Sequence, residues 1–187
     1  MGANKLLIAC KIFYDELQSI LPLESDLKII WIEAALHANL NRLEGELKKA
    51  LSEAATNGAK VQLFLGAGCH PDIARLAREY GASVSPVKNC IEAFLGSKQK
   101  EMEENDTMVM TPGWIRAWPS IMAALGWDEV DVRINFGRYK RILLLEPGIN
   151  PLLDEEILSF FDLTQVPIEI EPLDLDHLKS LLTEIAG

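Results

Sequence analysis

The chain has 187 residues, 49% of them hydrophobic and 25% charged, with a formal net charge of −10 and a sequence pI near 4.8. That is the composition of a water-soluble globular domain, with a length to bury one full core. The acidic surface repels phosphate backbones and gains nothing from anionic lipid, so neither nucleic-acid nor membrane binding is expected.

Apolar runs of strand length alternate with amphipathic stretches throughout. In chain order, "KLLIAC" leads to "KIFYDELQSILP", and "LKIIWIEAALH" to "ANLNRLEGELKKALSEAATNG". "KVQLFLGAGC" leads to "HPDIARLAREYG", and the short "ASVSPV" to "NCIEAFLG". "TMVMT" leads to "PGWIRAWPSIMAALGW", "RILLLEPG" to "PLLDEEILSFFD", and "VPIEIEPL" to "DLDHLKSLLTEIAG". The runs show little alternation, as strands covered on both faces do. "TNG" and "EYG" mark helix ends before the third and fourth strands. The pattern predicts a single α/β domain over 1–187, a Rossmann-like three-layer fold with a mostly parallel sheet. "GSKQKEMEENDT" is read as a surface helix end and loop within it. The opening apolar run is too short for a signal-peptide core, no window matches a membrane-spanning helix, and a cytoplasmic location is expected.

In such a sheet, ligands sit beyond the carboxyl ends of the strands. Cys10 ends the first strand and Cys69 the third. Cys90 follows the fourth and opens a helix, and His37 lies just past the second. All three cysteines and one of the three histidines therefore fall at one edge. Each alone has an ordinary structural explanation: a free cysteine is a small core hydrophobe, and a histidine at a helix terminus bonds backbone. Together they predict a shared metal site of Cys10, His37, Cys69 and Cys90. Three thiolates and a neutral imidazole form a recognised tetrahedral zinc set. Helix N-termini would ease deprotonation of Cys69 and Cys90. Three cysteines from separate loops also suit a [4Fe–4S] cluster with one iron left open.

"GAGCHP" has Pro71 where a dinucleotide fingerprint needs glycine, and no P-loop "GK[ST]" occurs, which disfavours a phosphate loop. Cys69 as a nucleophile with His37 as base is the weaker alternative. His70 is read as a support for Cys69, Trp114 and Arg116 as the wall of a substrate pocket, and Glu146, ending the sixth strand, as a carboxylate near the metal. Arg138, Tyr139 and Arg141 fall at the opposite edge and are read as structural.

On Cys10, "LH" at Leu36–His37, "GAGC" at Gly66–Cys69, "NCIEAFLG" at Asn89–Gly96 and "TPGW" at Thr111–Trp114, nearly the whole chain resembles the domain of unknown function 1638 family of anaerobic bacteria and methanogenic archaea. The resemblance implies a setting beside corrinoid-dependent methyltransferases, hence one-carbon metabolism. The expected partners are a small-molecule substrate or corrinoid methyltransferase proteins, with a second copy of the chain as the default oligomer. The "DxHxxG" of a base-off cobalamin domain is missing, which disfavours a corrinoid carrier. Two classes stay open: a metal-dependent methyl- or thiol-transfer enzyme, and a non-catalytic accessory or chaperone protein.

Overall fold

The computed structural model describes residues 5–21, 27–56, 58 and 60–186. Seven strands are present among them: β1 (Lys5–Cys10), β2 (Lys28–Ile32), β3 (Lys60–Phe64), β4 (Ser83–Val84), β5 (Thr107–Met110), β6 (Arg141–Glu146) and β7 (Ile168–Pro172). The α-helices are α1 (Tyr14–Ile20), α2 (Leu40–Thr56), α3 (Ile73–Glu79), α4 (Cys90–Leu95), α5 (Gln99–Met102), α6 (Pro112–Leu125), α7 (Glu129–Phe136), α8 (Asp154–Thr164) and α9 (Asp176–Ala186). Short 3-10 turns at Lys11–Phe13 and Ala34–Ala38 follow β1 and β2. Among the described residues no helix is long and apolar enough to cross a membrane.

Every described strand pair is parallel, and the chain is a Rossmann-like α/β fold. The strands fall into two sheets rather than one: a four-stranded sheet in the order β2-β1-β3-β4 and a three-stranded sheet in the order β5-β6-β7. In the first sheet the chain moves from β1 to β2 on one side and then returns to β3 on the other. That reversal opens a crevice between the carboxyl ends of β1 and β3.

Burial on both faces explains why the strands read as continuous apolar runs. Along β1, Leu6 and Ile8 pack with Leu43, Leu47 and Leu51 of α2 and Leu76 of α3. Leu7 and Ala9 turn the other way, into a second cluster that includes Met110, Leu144, Trp118 and Leu178. This second cluster draws on both sheets. The spacing of Leu43, Leu47, Ala50, Leu51 and Ala54 gives α2 its apolar stripe.

The "EYG" stop behaves as read, since Gly81 takes a left-handed φ of +68° just past α3. In "TNG", Asn57 lies outside the described residues. Helix α7 has no counterpart in the apolar pattern, burying only Val132 and Phe136. Asp128 starts it by accepting from the backbone N–H groups of Val130 (2.8 Å) and Asp131 (3.0 Å), while Asp131 accepts from the Asp128 N–H at 3.1 Å.

Candidate functional site

Two close backbone approaches build the site. Gly66 follows β3 and lies against the backbone of Lys88, so that a Cβ at this position would be driven into the Lys88 carbonyl. The contact is zipped by Ala67 N–H to Val87 O (2.8 Å) and Gly68 N–H to Lys88 O (2.7 Å). It draws the turn carrying Cys69 against the segment carrying Cys90. Asn89 then starts α4 by accepting from Glu92 N–H at 2.8 Å, which places Cys90 at the first helical position.

The second approach joins the two sheets. Pro112 opens α6 at the position where its missing N–H costs nothing. Gly113 meets the Ile12 carbonyl with no room for a side chain. Helix α6 packs on both 3-10 turns, Lys11–Phe13 and Ala34–Ala38. It thus lies across the carboxyl edge of the first sheet and brings Trp114 to the crevice.

The result is a cavity of about 340 Å³ whose walls include Cys10, His37, Cys69, Cys90 and Trp114. A larger, more open cleft of about 780 Å³, between Ser19–Leu21 and Leu173–Thr183, has no cysteine or histidine among its described lining residues. In the smaller cavity Cys10 is 5% exposed and the other two thiols are partly buried. Burial pushes all three thiols up, Cys90 to about 12. The Cys90 and Cys69 sulfurs are near enough to Cys10 to disfavour its ionisation further. Trp114 donates its indole N–H to Cys90 Sγ at 3.1 Å and pulls the other way.

His37 bonds Ala34 O through Nδ1 at 3.0 Å. A carbonyl only accepts, so Nδ1 carries the proton and Nε2 keeps its lone pair. Burial lowers the His37 pKa and holds the ring neutral. Among the described residues, no three His, Cys, Asp or Glu side chains are grouped as ligands of a single metal ion would be.

Cys69 is not at a helix start: it lies in the turn after β3, and α3 begins at Ile73. Its thiol is therefore governed by burial, not by a helix dipole, and a preformed nucleophilic thiolate is disfavoured at all three positions. Pro71 likewise sits in the turn ahead of α3.

Three side chains expected at the pocket are not among its walls. His70 is buried and turned toward α2. Its Nδ1 accepts the Asp72 N–H at 3.1 Å, and its Nε2 stands 3.9 Å from Glu44 Oε2. Arg116 instead ties the two halves of the molecule together. It reaches both Glu156 oxygens (3.0 and 3.3 Å), Asp15 (3.5 Å), and the carbonyls of Asn150 (2.9 Å) and Pro151 (3.0 Å). Glu146 ends β6 in the other sheet and accepts from Gly148 N–H at 3.0 Å. At the amino edge, Arg141 bonds Thr107 Oγ1 and pairs with Glu169, and Arg138 stacks on Tyr139, all structural contacts.

Fold and cavity together define a parallel α/β protein with a thiol-rich crevice at the carboxyl edge of its larger sheet. The chain belongs to DUF1638, a family of proteins of unknown function whose family model matches residues 31–182. The matched span holds His37, Cys69, Cys90 and Trp114; Cys10 precedes it. No curated protein matches the sequence.

Proposed function

We propose that the chain is a metal-thiolate protein in which Cys10, Cys69 and Cys90 hold a [4Fe–4S] cluster with one iron left open. The observation that carries this is three thiols, Cys10 buried and Cys69 and Cys90 partly so, brought from three separate segments to the wall of one cavity of about 340 Å³. In a cluster each thiolate binds its own iron, so its ligands stand around a volume instead of closing on a point. A cationic centre would also reverse the effect of burial on the thiols, since a coordinating thiol is deprotonated outright. When bound, such a centre supplies Lewis acidity or one-electron transfer at the open iron. His37, which lines the same cavity, would be available to a group bound there.

A mononuclear zinc site of Cys10, His37, Cys69 and Cys90 is the second proposal, favoured by one specific feature. The Nδ1 bond to Ala34 O is the outer contact that orients a metal-ligating histidine and frees Nε2. It requires the four side chains to close further on the ion. Either centre is compatible with methyl or thiol transfer, or with an accessory role beside corrinoid-dependent methyltransferases, a setting supported by the family resemblance alone. Turnover of a methyl donor separates the enzyme from the accessory protein.

The test is metal and acid-labile sulfide analysis with a visible spectrum, on protein purified without oxygen, for wild type and Cys69→Ser. Iron with sulfide and a broad brown absorbance, lost in the variant, supports the cluster. One colourless zinc per chain, lost in the variant, supports the Cys3His site. No metal in wild type overturns both.

A further inference from the structure

We propose that Trp114 sets the electron density on the metal centre by donating its indole N–H to the Cys90 sulfur. The inference rests on the metal-thiolate assignment above and adds to it a residue that is not a ligand.

The geometry is specific. Indole nitrogen is a donor only, and Trp114 Nε1 directs its N–H to Cys90 Sγ at 3.1 Å inside the cavity wall. Among the described residues, Trp114 is the one lining residue contributed by the chain beyond Cys90. Its position is fixed from two sides. On the preceding residue, Gly113 is pressed to the Ile12 carbonyl. Two residues further along the same helix, Arg116 is held by Glu156, Asp15 and the Asn150 and Pro151 carbonyls. The donor is thus built into a packed helix, with the cost of ordering it met by folding.

A hydrogen bond to a metal-bound thiolate withdraws electron density from sulfur. It stabilises the reduced state, which carries one more electron, over the oxidised state, and so raises the reduction potential. Removing the donor makes the centre harder to reduce. No bond to the metal is made or broken; Trp114 is a positioning and tuning residue, not a ligand.

The experiment compares wild type, Trp114→Phe, Trp114→His and, as a control away from the cavity, Trp127→Phe. Each is prepared without oxygen and matched for metal content, and the cluster is titrated with dithionite at a series of potentials. The expected result is a more negative midpoint for Trp114→Phe, a smaller change for Trp114→His, which keeps a ring N–H, and none for Trp127→Phe. If the wild type carries zinc, the same comparison is made on cobalt-substituted protein. There, loss of the bond moves the sulfur-to-cobalt charge-transfer band to lower energy. An unchanged midpoint or band in Trp114→Phe at full metal content overturns the inference and leaves the metal assignment standing. Loss of the metal in both Trp114 variants also overturns it, reducing Trp114 to packing. Wild type without metal overturns both proposals.

Discussion

Gly66 and Lys88 meet backbone to backbone, with the Gly66 α-carbon facing the Lys88 carbonyl and no space for a methyl group between them. Two hydrogen bonds, from Ala67 and Gly68 to the Val87 and Lys88 carbonyls, depend on that approach. Gly66→Ala must push the two segments apart, and backbone gives way less readily than a side-chain tip. A loss of roughly 1–3 kcal/mol in urea-unfolding stability is expected. The separation of Cys69 from Cys90 should also lower metal content. Full metal occupancy in Gly66→Ala would show that the approach does not assemble the site.

Gly45 provides the opposite case. It lies inside α2 with nothing within 4 Å of an added Cβ. Alanine there removes conformational freedom from the unfolded chain without a clash. Gly45→Ala should stabilise the protein by roughly 0.5–1 kcal/mol and leave metal content unchanged. Thermal and urea unfolding, followed by circular dichroism, measure it.

Arg116 tests whether the fork of hydrogen bonds is structural. Its guanidinium joins α6 to Asp15 of α1, to Glu156 of α8 and to two carbonyls ahead of α8. The pair with Glu156 is two-pronged, and both side chains are about 30% exposed, so solvent screening trims the electrostatic part. Arg116→Met, which keeps the stem, should cost about 1–3 kcal/mol in unfolding stability. Metal content should not change, because the side chain does not line the cavity. A variant of wild-type stability that loses its metal would place Arg116 at the site after all.

Which parts of this were readable in the sequence follows from the range of the interactions involved. Most of the strands are legible as local apolar runs, β7 instead by the alternation of Ile168 and Ile170 with Glu169 and Glu171, and the edge positions of Cys10, Cys69 and Cys90 follow once the strands are parallel. The division into two sheets is not legible. It depends on which strands pair across long separations, and nothing local to "ASVSPV" or "TMVMT" tells whether these neighbours in sequence are neighbours in a sheet. Helix α7 is too short to show an apolar period, though the Asp128–Asp131 spacing of its capping box was there to be seen. Trp114 and Arg116 were expected to share a pocket, yet residues two apart on a helix project about 200° from each other. That separation was available from the sequence. The orientation of His70 was not, since it turns on the Asp72 N–H and on Glu44, which lies 26 residues upstream.

Glu16 carries the clearest pH dependence. It is 2% exposed, and its Oε2 has no hydrogen-bond partner among the described residues. Burial is the main cause that raises its pKa from 4.5 to about 7; Asp15 and Glu146 add to the rise, and Arg116 opposes it. The folded chain therefore binds a proton at Glu16 that the unfolded chain releases near pH 4.5. Between these values the native state holds more protons than the unfolded state, so stability falls as pH rises. The contribution is complete below about pH 4.5 and is lost as pH passes about 7. Glu16→Gln keeps the size and removes the charge. It should leave stability little changed near pH 4.5, raise it relative to wild type above pH 7, and flatten the slope between. Urea unfolding at half-unit pH steps gives the comparison. Parallel wild-type and variant curves would mean that Glu16 reaches water or a partner when ionised, and that the pH dependence arises elsewhere.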